Sequence, residues 1–114
     1  MKKTVVVGGS GFIGSAVAAH LSDAGYKVTI YDKTNSQWLR SGQKLVNGDV
    51  QDSGKLNQTI AGAEVVYNFA ALADLNQALE QPIKTVNINI LGNLNVMEAC
   101  HAQGVKRFVF ASTV

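Results

Sequence analysis

The run Gly8-Gly9-Ser10-Gly11-Phe12-Ile13-Gly14 is the part of this chain whose residue types and spacing most directly imply chemistry. It satisfies G-x-G-x-x-G through Gly9, Gly11 and Gly14, and G-x-x-G-x-x-G through Gly8, Gly11 and Gly14. Missing side chains let a backbone turn tightly and approach a pyrophosphate, whose charge is met by unpaired N–H groups at a helix N-terminus. Glycine-rich turns also join strands to helices for steric reasons alone. The second feature is Asp32, 18 residues past Gly14. A carboxylate there, directly after a second strand, lies where it can accept hydrogen bonds from both hydroxyls of an adenosine ribose, each such charged bond being worth about 1.5–3 kcal/mol. Its charge repels a 2′-phosphate, which favours NAD over NADP, while Lys33 next door pulls the other way. The remaining reactive groups suggest no other engine. His20 and His101 lack a paired carboxylate spacing, and no residues are spaced to ligate a metal. Cys100 is the one cysteine, read as a buried inert thiol that suits a reducing cytoplasm.

Positioning a glycine turn and an acid in this way requires alternating strands and helices, and the sequence supplies them. Short β-branched runs alternate with helix-length amphipathic segments, the rhythm of a parallel sheet covered on both faces. Strands are expected at Thr4 to Val7, Lys27 to Tyr31, Lys44 to Asn47, Glu64 to Phe69 and Arg107 to Ala111. A helix is expected from Phe12 to about Ala24, with Ile13, Val17 and Leu21 as its core stripe and Gly25 as its stop. Between Asp32 and Gln43, Trp38 and Leu39 are expected to anchor a short helix or loop. A short helix covers Ser53 to Ile60 with Ser53 as its N-cap. A long one runs from about Asn76 to Gln103, with Pro82 at its first turn or at a kink, and Ile83, Val86, Ile90, Leu94 and Met97 as its buried stripe. Right-handed crossovers then give a doubly wound α/β sheet of five strands in the order 3-2-1-4-5. Ligands bind such sheets at the carboxyl ends of the strands, at the switch between the first and fourth.

Taken together, Gly8 to Gly14, Asp32, Gly48-Asp49-Val50, Asn68-Phe69-Ala70-Ala71, the Asn89-x-x-Gly92 helix and Phe108 to Thr113 resemble the extended short-chain dehydrogenases. Within that group the likeness is to nucleotide-sugar epimerases and dehydratases. It implies a Rossmann-type domain over residues 1–114 in which the backbone N–H groups of Phe12 and Ile13 cover the pyrophosphate. Asp49 and Val50 would receive the adenine, Phe69, Ala70 and Ala71 would line the ribose and nicotinamide side, and Asn89 would reach in from the long helix. Thr113 would take the Ser/Thr position of the family's catalytic triad. The implied substrate is a small molecule, a nucleotide sugar, and the implied reaction is transient hydride transfer with NAD.

The departures from the family pattern are as informative. Asn68 stands where the family often has His, and Val7 where it often has Thr. Leu72, Ala73 and Asp74 replace the residues that face substrate. The family's Tyr-x-x-x-Lys proton-transfer pair is not found: Tyr26, Tyr31 and Tyr67 have no lysine four residues on. The chain is therefore expected to be an N-terminal fragment, cut after its fifth strand and inactive alone, with Phe108 and Phe110 on an exposed edge that self-associates. A dinucleotide sensor without catalysis and an NADP-linked reductase of a non-sugar ketone are the alternatives. Ten Lys and Arg against eight Asp and Glu form no dense stripe, which argues against nucleic acid or a membrane surface as partner.

Overall fold

A computed structural model describes residues 2–72 and 74–112 of the chain. Five parallel strands, β1 (Lys3–Val7), β2 (Lys27–Asp32), β3 (Lys44–Asn47), β4 (Ala63–Asn68) and β5 (Arg107–Phe110), lie in the order β3-β2-β1-β4-β5. The expected topology is the one observed. Val7, the last residue of β1, pairs with Tyr31 on one side and Asn68 on the other, so the strand ends on both sides of the switch stand level.

Helices cover the sheet on both faces, and alternation along the strands divides the core between them. Val5 and Val7 face one way, into a cluster with Tyr31, Leu56, Ile60, Val66 and Val96 under α2 (Ser53–Ile60) and α5 (Asn93–Ala102). Val6 faces the other way, joining Ala18, Val28 and Ile30 beneath α1 (Phe12–Asp23). Cys100 belongs to the first cluster, and burial pushes its thiol up to about 11, which keeps it protonated and unreactive as expected.

Two local expectations fail and a third is met in one of its two forms. The cap of α2 is Asp52, whose carboxylate accepts from the Lys55 N–H at 3.0 Å, so the helix starts one residue after its cap rather than with it. Of the helix or loop expected at Trp38 and Leu39 the structure has the loop, with both side chains exposed. The long helix is broken: α3 (Leu75–Glu80) ends at Gln81, and Pro82 opens α4 (Pro82–Val86) as its first turn, one of the two places expected for it, before the helix runs through a π-helical turn (Asn87–Gly92) into α5.

The core stripes depart from expectation as well. In α1 the buried residues are Gly14 and Ala18; of the expected stripe Ile13 is 61% exposed, whereas Val17 is half-buried and Leu21 packs against the second cluster. Along α4, the π turn and α5, the expected core stripe of Ile83, Val86, Ile90, Leu94 and Met97 points outward. Ile88, Gly92, Val96, Ala99 and Cys100 face the sheet instead. Both faces of this helix carry apolar residues at helical spacing, so periodicity cannot choose between them. Packing density can: the face rich in small residues lets the helix sit close to its neighbours.

One core group is unmatched. The Thr4 hydroxyl is fully buried and has no hydrogen-bond partner among the described residues. A buried, unpaired hydroxyl costs about 1–3 kcal/mol. Thr4→Val should therefore raise the urea midpoint by an amount worth about 1 kcal/mol at unchanged slope. A lower midpoint would show that the hydroxyl is matched in solution.

Candidate functional site

The carboxyl ends of β1, β2, β3 and β4 open into a cleft of about 180 Å³. Its walls include Gly8, Asp32, Asp49, Val50, Phe69, Ala70 and Ala71, seven residues singled out from sequence, now drawn from the end of β2 and the loops after β1, β3 and β4. Gly11, Phe12, Ile13 and Gly14 lie alongside at the start of α1, and Thr113 lies outside the described residues.

The turn from β1 to α1 shows why glycine is needed there. Gly8 has φ +79°, and a Cβ on it would lie 2.6 Å from the Ala70 nitrogen in the loop after β4. A Cβ on Gly14 would lie 2.3 Å from the Gly8 carbonyl oxygen. These two positions close the turn. Gly11 is different, since a Cβ there meets nothing nearer than 3.5 Å and its φ of −78° suits any residue. The fold leaves room for a methyl group at Gly11, beside an α1 N-terminus that no side chain caps. The side chains of Phe12 and Ile13 point to solvent, Phe12 at 82% exposure, so these residues offer backbone N–H groups to the space. An anion can occupy it.

Asp32 has a structural duty that sequence reasoning missed. Its Oδ2 accepts the Ser10 N–H at 3.0 Å, while Oδ1 accepts the Thr34 N–H at 3.1 Å and the Thr34 hydroxyl at 3.2 Å. The carboxylate thus ties the glycine turn to the end of β2. A carboxylate has about four lone-pair sites, so capacity for a further donor remains, and the Thr34 hydroxyl is the partner most easily exchanged.

The loop after β3 is held from below. Tyr31, 1% exposed, donates its hydroxyl to the Asp49 carbonyl at 2.7 Å. Burial, followed by the nearby Asp52 and Asp49 charges, pushes that hydroxyl up to about 12, so it acts as a donor and never as a base. The loop after β4 is held through Asn68, whose Oδ1 accepts the Ala70 N–H at 3.0 Å. Asn89 does not line the cleft. Its amide grips the backbone of Leu72, accepting the N–H at 2.7 Å and donating to the carbonyl at 3.0 Å. Its contacts therefore go to a wall of the cleft and not into it. Among the described residues no cluster of His, Cys, Asp and Glu could hold a metal, and no helix is long and apolar enough to cross a membrane.

An uncapped helix N-terminus behind a glycine turn, an acid at the end of β2 and small residues after β4 suit a dinucleotide laid across the switch. Comparison with known proteins agrees. A family model described as the NAD dependent epimerase/dehydratase family matches residues 4–114. The UDP-glucose 4-epimerase of Rhizobium leguminosarum bv. trifolii is 31% identical over 114 residues, covering 96% of this chain and 35% of that protein. The UDP-glucose 4-epimerase of Corynebacterium glutamicum is 34% identical, covering 97% of this chain and 35% of that protein. Among solved structures, the UDP-glucose 4-epimerase of Brucella ovis in complex with NAD superposes with a TM-score of 0.90 at 31% identity, over 98% of this chain and 36% of that one. The chain spans about a third of the length of these relatives. With the family model matched from β1 through β5 and the topology in agreement, the chain belongs to the NAD dependent epimerase/dehydratase family.

Proposed function

We propose that the chain binds NAD across the carboxyl ends of its strands and forms the cofactor-binding part of an epimerase or dehydratase acting on a nucleotide sugar, UDP-glucose being the substrate class its relatives' names suggest. The observation that carries this reading is the convergence of Gly8, Asp32, Asp49, Val50, Phe69, Ala70 and Ala71 on one cleft beside an uncapped helix N-terminus. NAD, when bound, supplies a reversible hydride acceptor for a sugar carbinol.

The chain's own residues bind and orient. The N–H groups of Phe12 and Ile13 meet the pyrophosphate, with Gly11 leaving room for it. Asp32 keeps the Ser10 N–H and exchanges its Thr34 hydroxyl contact for the adenosine ribose. Asp49 and Val50 form the adenine seat, the carboxylate accepting from the exocyclic amine. Phe69, Ala70 and Ala71 exclude water on the nicotinamide side. Thr113 donates to the substrate oxygen. No Tyr-x-x-x-Lys occurs in the 114 residues, so the chain alone binds cofactor without turnover.

We also infer that a second copy packs on the outward stripe of α4, the π turn and α5. Ile83, Val86, Ile90, Leu94 and Met97 are all exposed, and scattered exposed apolar residues are ordinary where a continuous stripe is not. Their spacing reads the same in both directions from Ile90. A two-fold antiparallel contact therefore sets Ile83 against the partner's Met97, Val86 against the partner's Leu94 and Ile90 against itself. Lys84 and Glu98 flank the end pair with opposite charges. This surface suits a partner better than the β5 edge, where Phe108 is half-buried in the core and Phe110 alone stands out.

Asp32→Ala should weaken NAD by at least about tenfold in a calorimetric titration, and the wild-type chain should bind NAD more tightly than NADP. Unchanged affinity in the variant, or tighter NADP binding, contradicts the ribose assignment. Gly11→Ala should fold with near wild-type stability yet lose NAD binding, because its new methyl group meets the protein only at an ordinary contact distance of 3.5 Å but intrudes on the ligand. Retained binding places the pyrophosphate elsewhere. Leu94→Glu should convert a dimer to a monomer in sedimentation equilibrium, whereas a monomeric wild type rules the stripe out as a self-association surface.

A further inference from the structure

Three asparagines on one helical run, Asn89, Asn93 and Asn95, each reach a different point on the cleft walls. Asn89 grips both the N–H and the carbonyl of Leu72. Asn93 Oδ1 accepts from Asn68 Nδ2 at 2.8 Å, and the Oδ1 of that same Asn68 accepts the Ala70 N–H. Asn95 Nδ2 donates to the Val50 carbonyl at 3.0 Å. Two of the three therefore hold the loop after β4, and the third holds the loop after β3. The residue types are chemically specific. A primary amide carries a donor and an acceptor on one planar group, so Asn89 can satisfy both backbone groups of Leu72 where a carboxylate could satisfy only the N–H. Asn68 is 3% exposed, so its orientation has to be fixed by protein partners.

The helix can reach both loops because of its π turn and Gly92. A Cβ on Gly92 would lie 2.5 Å from Val50 Cγ2, so the helix backbone rests directly on the loop after β3. Asn89 lies within the π turn, while Asn93 and Asn95 open α5 beyond it. Such single turns recur at functional sites.

We propose that this helix is the positioning element of the cofactor cleft, with Asn89 and Asn93 setting the nicotinamide-side wall and Asn95 setting the adenine-side wall. The inference rests on the NAD reading above. None of the three touches the proposed cofactor; each acts through the loop it holds. The two ends of the dinucleotide are therefore tuned by different residues of one helix, and a change at one asparagine affects one half of the ligand.

AMP and NAD titrations separate the halves, since AMP occupies only the adenine side. Asn95→Leu should weaken AMP and NAD by the same factor, about five- to tenfold. Asn89→Leu and Asn93→Leu should weaken NAD by about that factor and leave AMP within about twofold. Asn93→Asp, which keeps the acceptor for Asn68, should restore NAD binding. If Asn89→Leu does not fold, Asn89→Asp, which loses only the donor to the Leu72 carbonyl, should show the same split. Equal losses of AMP and NAD in the Asn89 variants, or no rescue by Asn93→Asp, overturn the positioning role while leaving the cofactor reading intact. A wild-type chain that binds neither ligand overturns both.

Discussion

The carbonyl of Gly8 is the point against which the rest of this structure closes. The first turn of α1 lies on it so closely that Gly14 has no room for a methyl group, and the left-handed conformation of Gly8 brings the same turn against the backbone of Phe69 and Ala70. Contact at that distance joins three elements, β1, α1 and the loop after β4, without any side chain between them. The uncapped N-terminus of α1 faces the switch between β1 and β4 because that contact leaves it no other direction. Asp32 then fastens the turn from the side through the Ser10 N–H. A cleft at the carboxyl ends of a doubly wound sheet is a consequence of topology, but the placing of an uncapped helix N-terminus beside it is a consequence of this contact.

The opposite wall is built by a different means. Where the glycine turn relies on the removal of side chains, the loops after β3 and β4 are held by side chains that reach their backbones: Tyr31 and Asn95 on the first, Asn68 and Asn89 on the second. Each interaction satisfies a backbone group in a partly buried loop, which would otherwise carry a desolvation cost.

Much of this was legible in the sequence. The strand positions, the parallel order, Gly8 and Asp32 follow from β-branched runs, glycine spacing and position after a strand, all of which are local signals, whereas Asp49, Val50, Phe69, Ala70 and Ala71 were legible only through the family resemblance. What escaped was set by tertiary choice. The helix after Pro82 carries apolar residues on both faces, and the decision to bury Gly92, Ala99 and Cys100 while exposing Ile90 and Leu94 is made by how close the backbone must come to Val50 and the sheet. The family resemblance pointed Asn89 toward the site, but its partner, the Leu72 backbone, lies in a loop whose path no periodicity describes. The double duty of Asp32 was hidden for the same reason, since Ser10 and Thr34 become its neighbours only when the strands pair.

The pairing of β1 with β4 bears on how the molecule assembles. β1 and β2 are joined through α1 and lie about two dozen residues apart, whereas Lys3 meets Ala63 and Val7 meets Asn68 across a stretch of about 60 residues. Closing the longer loop costs more chain entropy and defers its reward. The β1-α1-β2 unit can form early from local contacts, and β4 must find its place beside a strand already paired on its other edge. The glycine turn gains its wall of Phe69 and Ala70 only at that moment. Completion of the cleft is thus a late event in folding, and a chain stalled before β4 docks would hold a formed glycine turn with nothing opposite it.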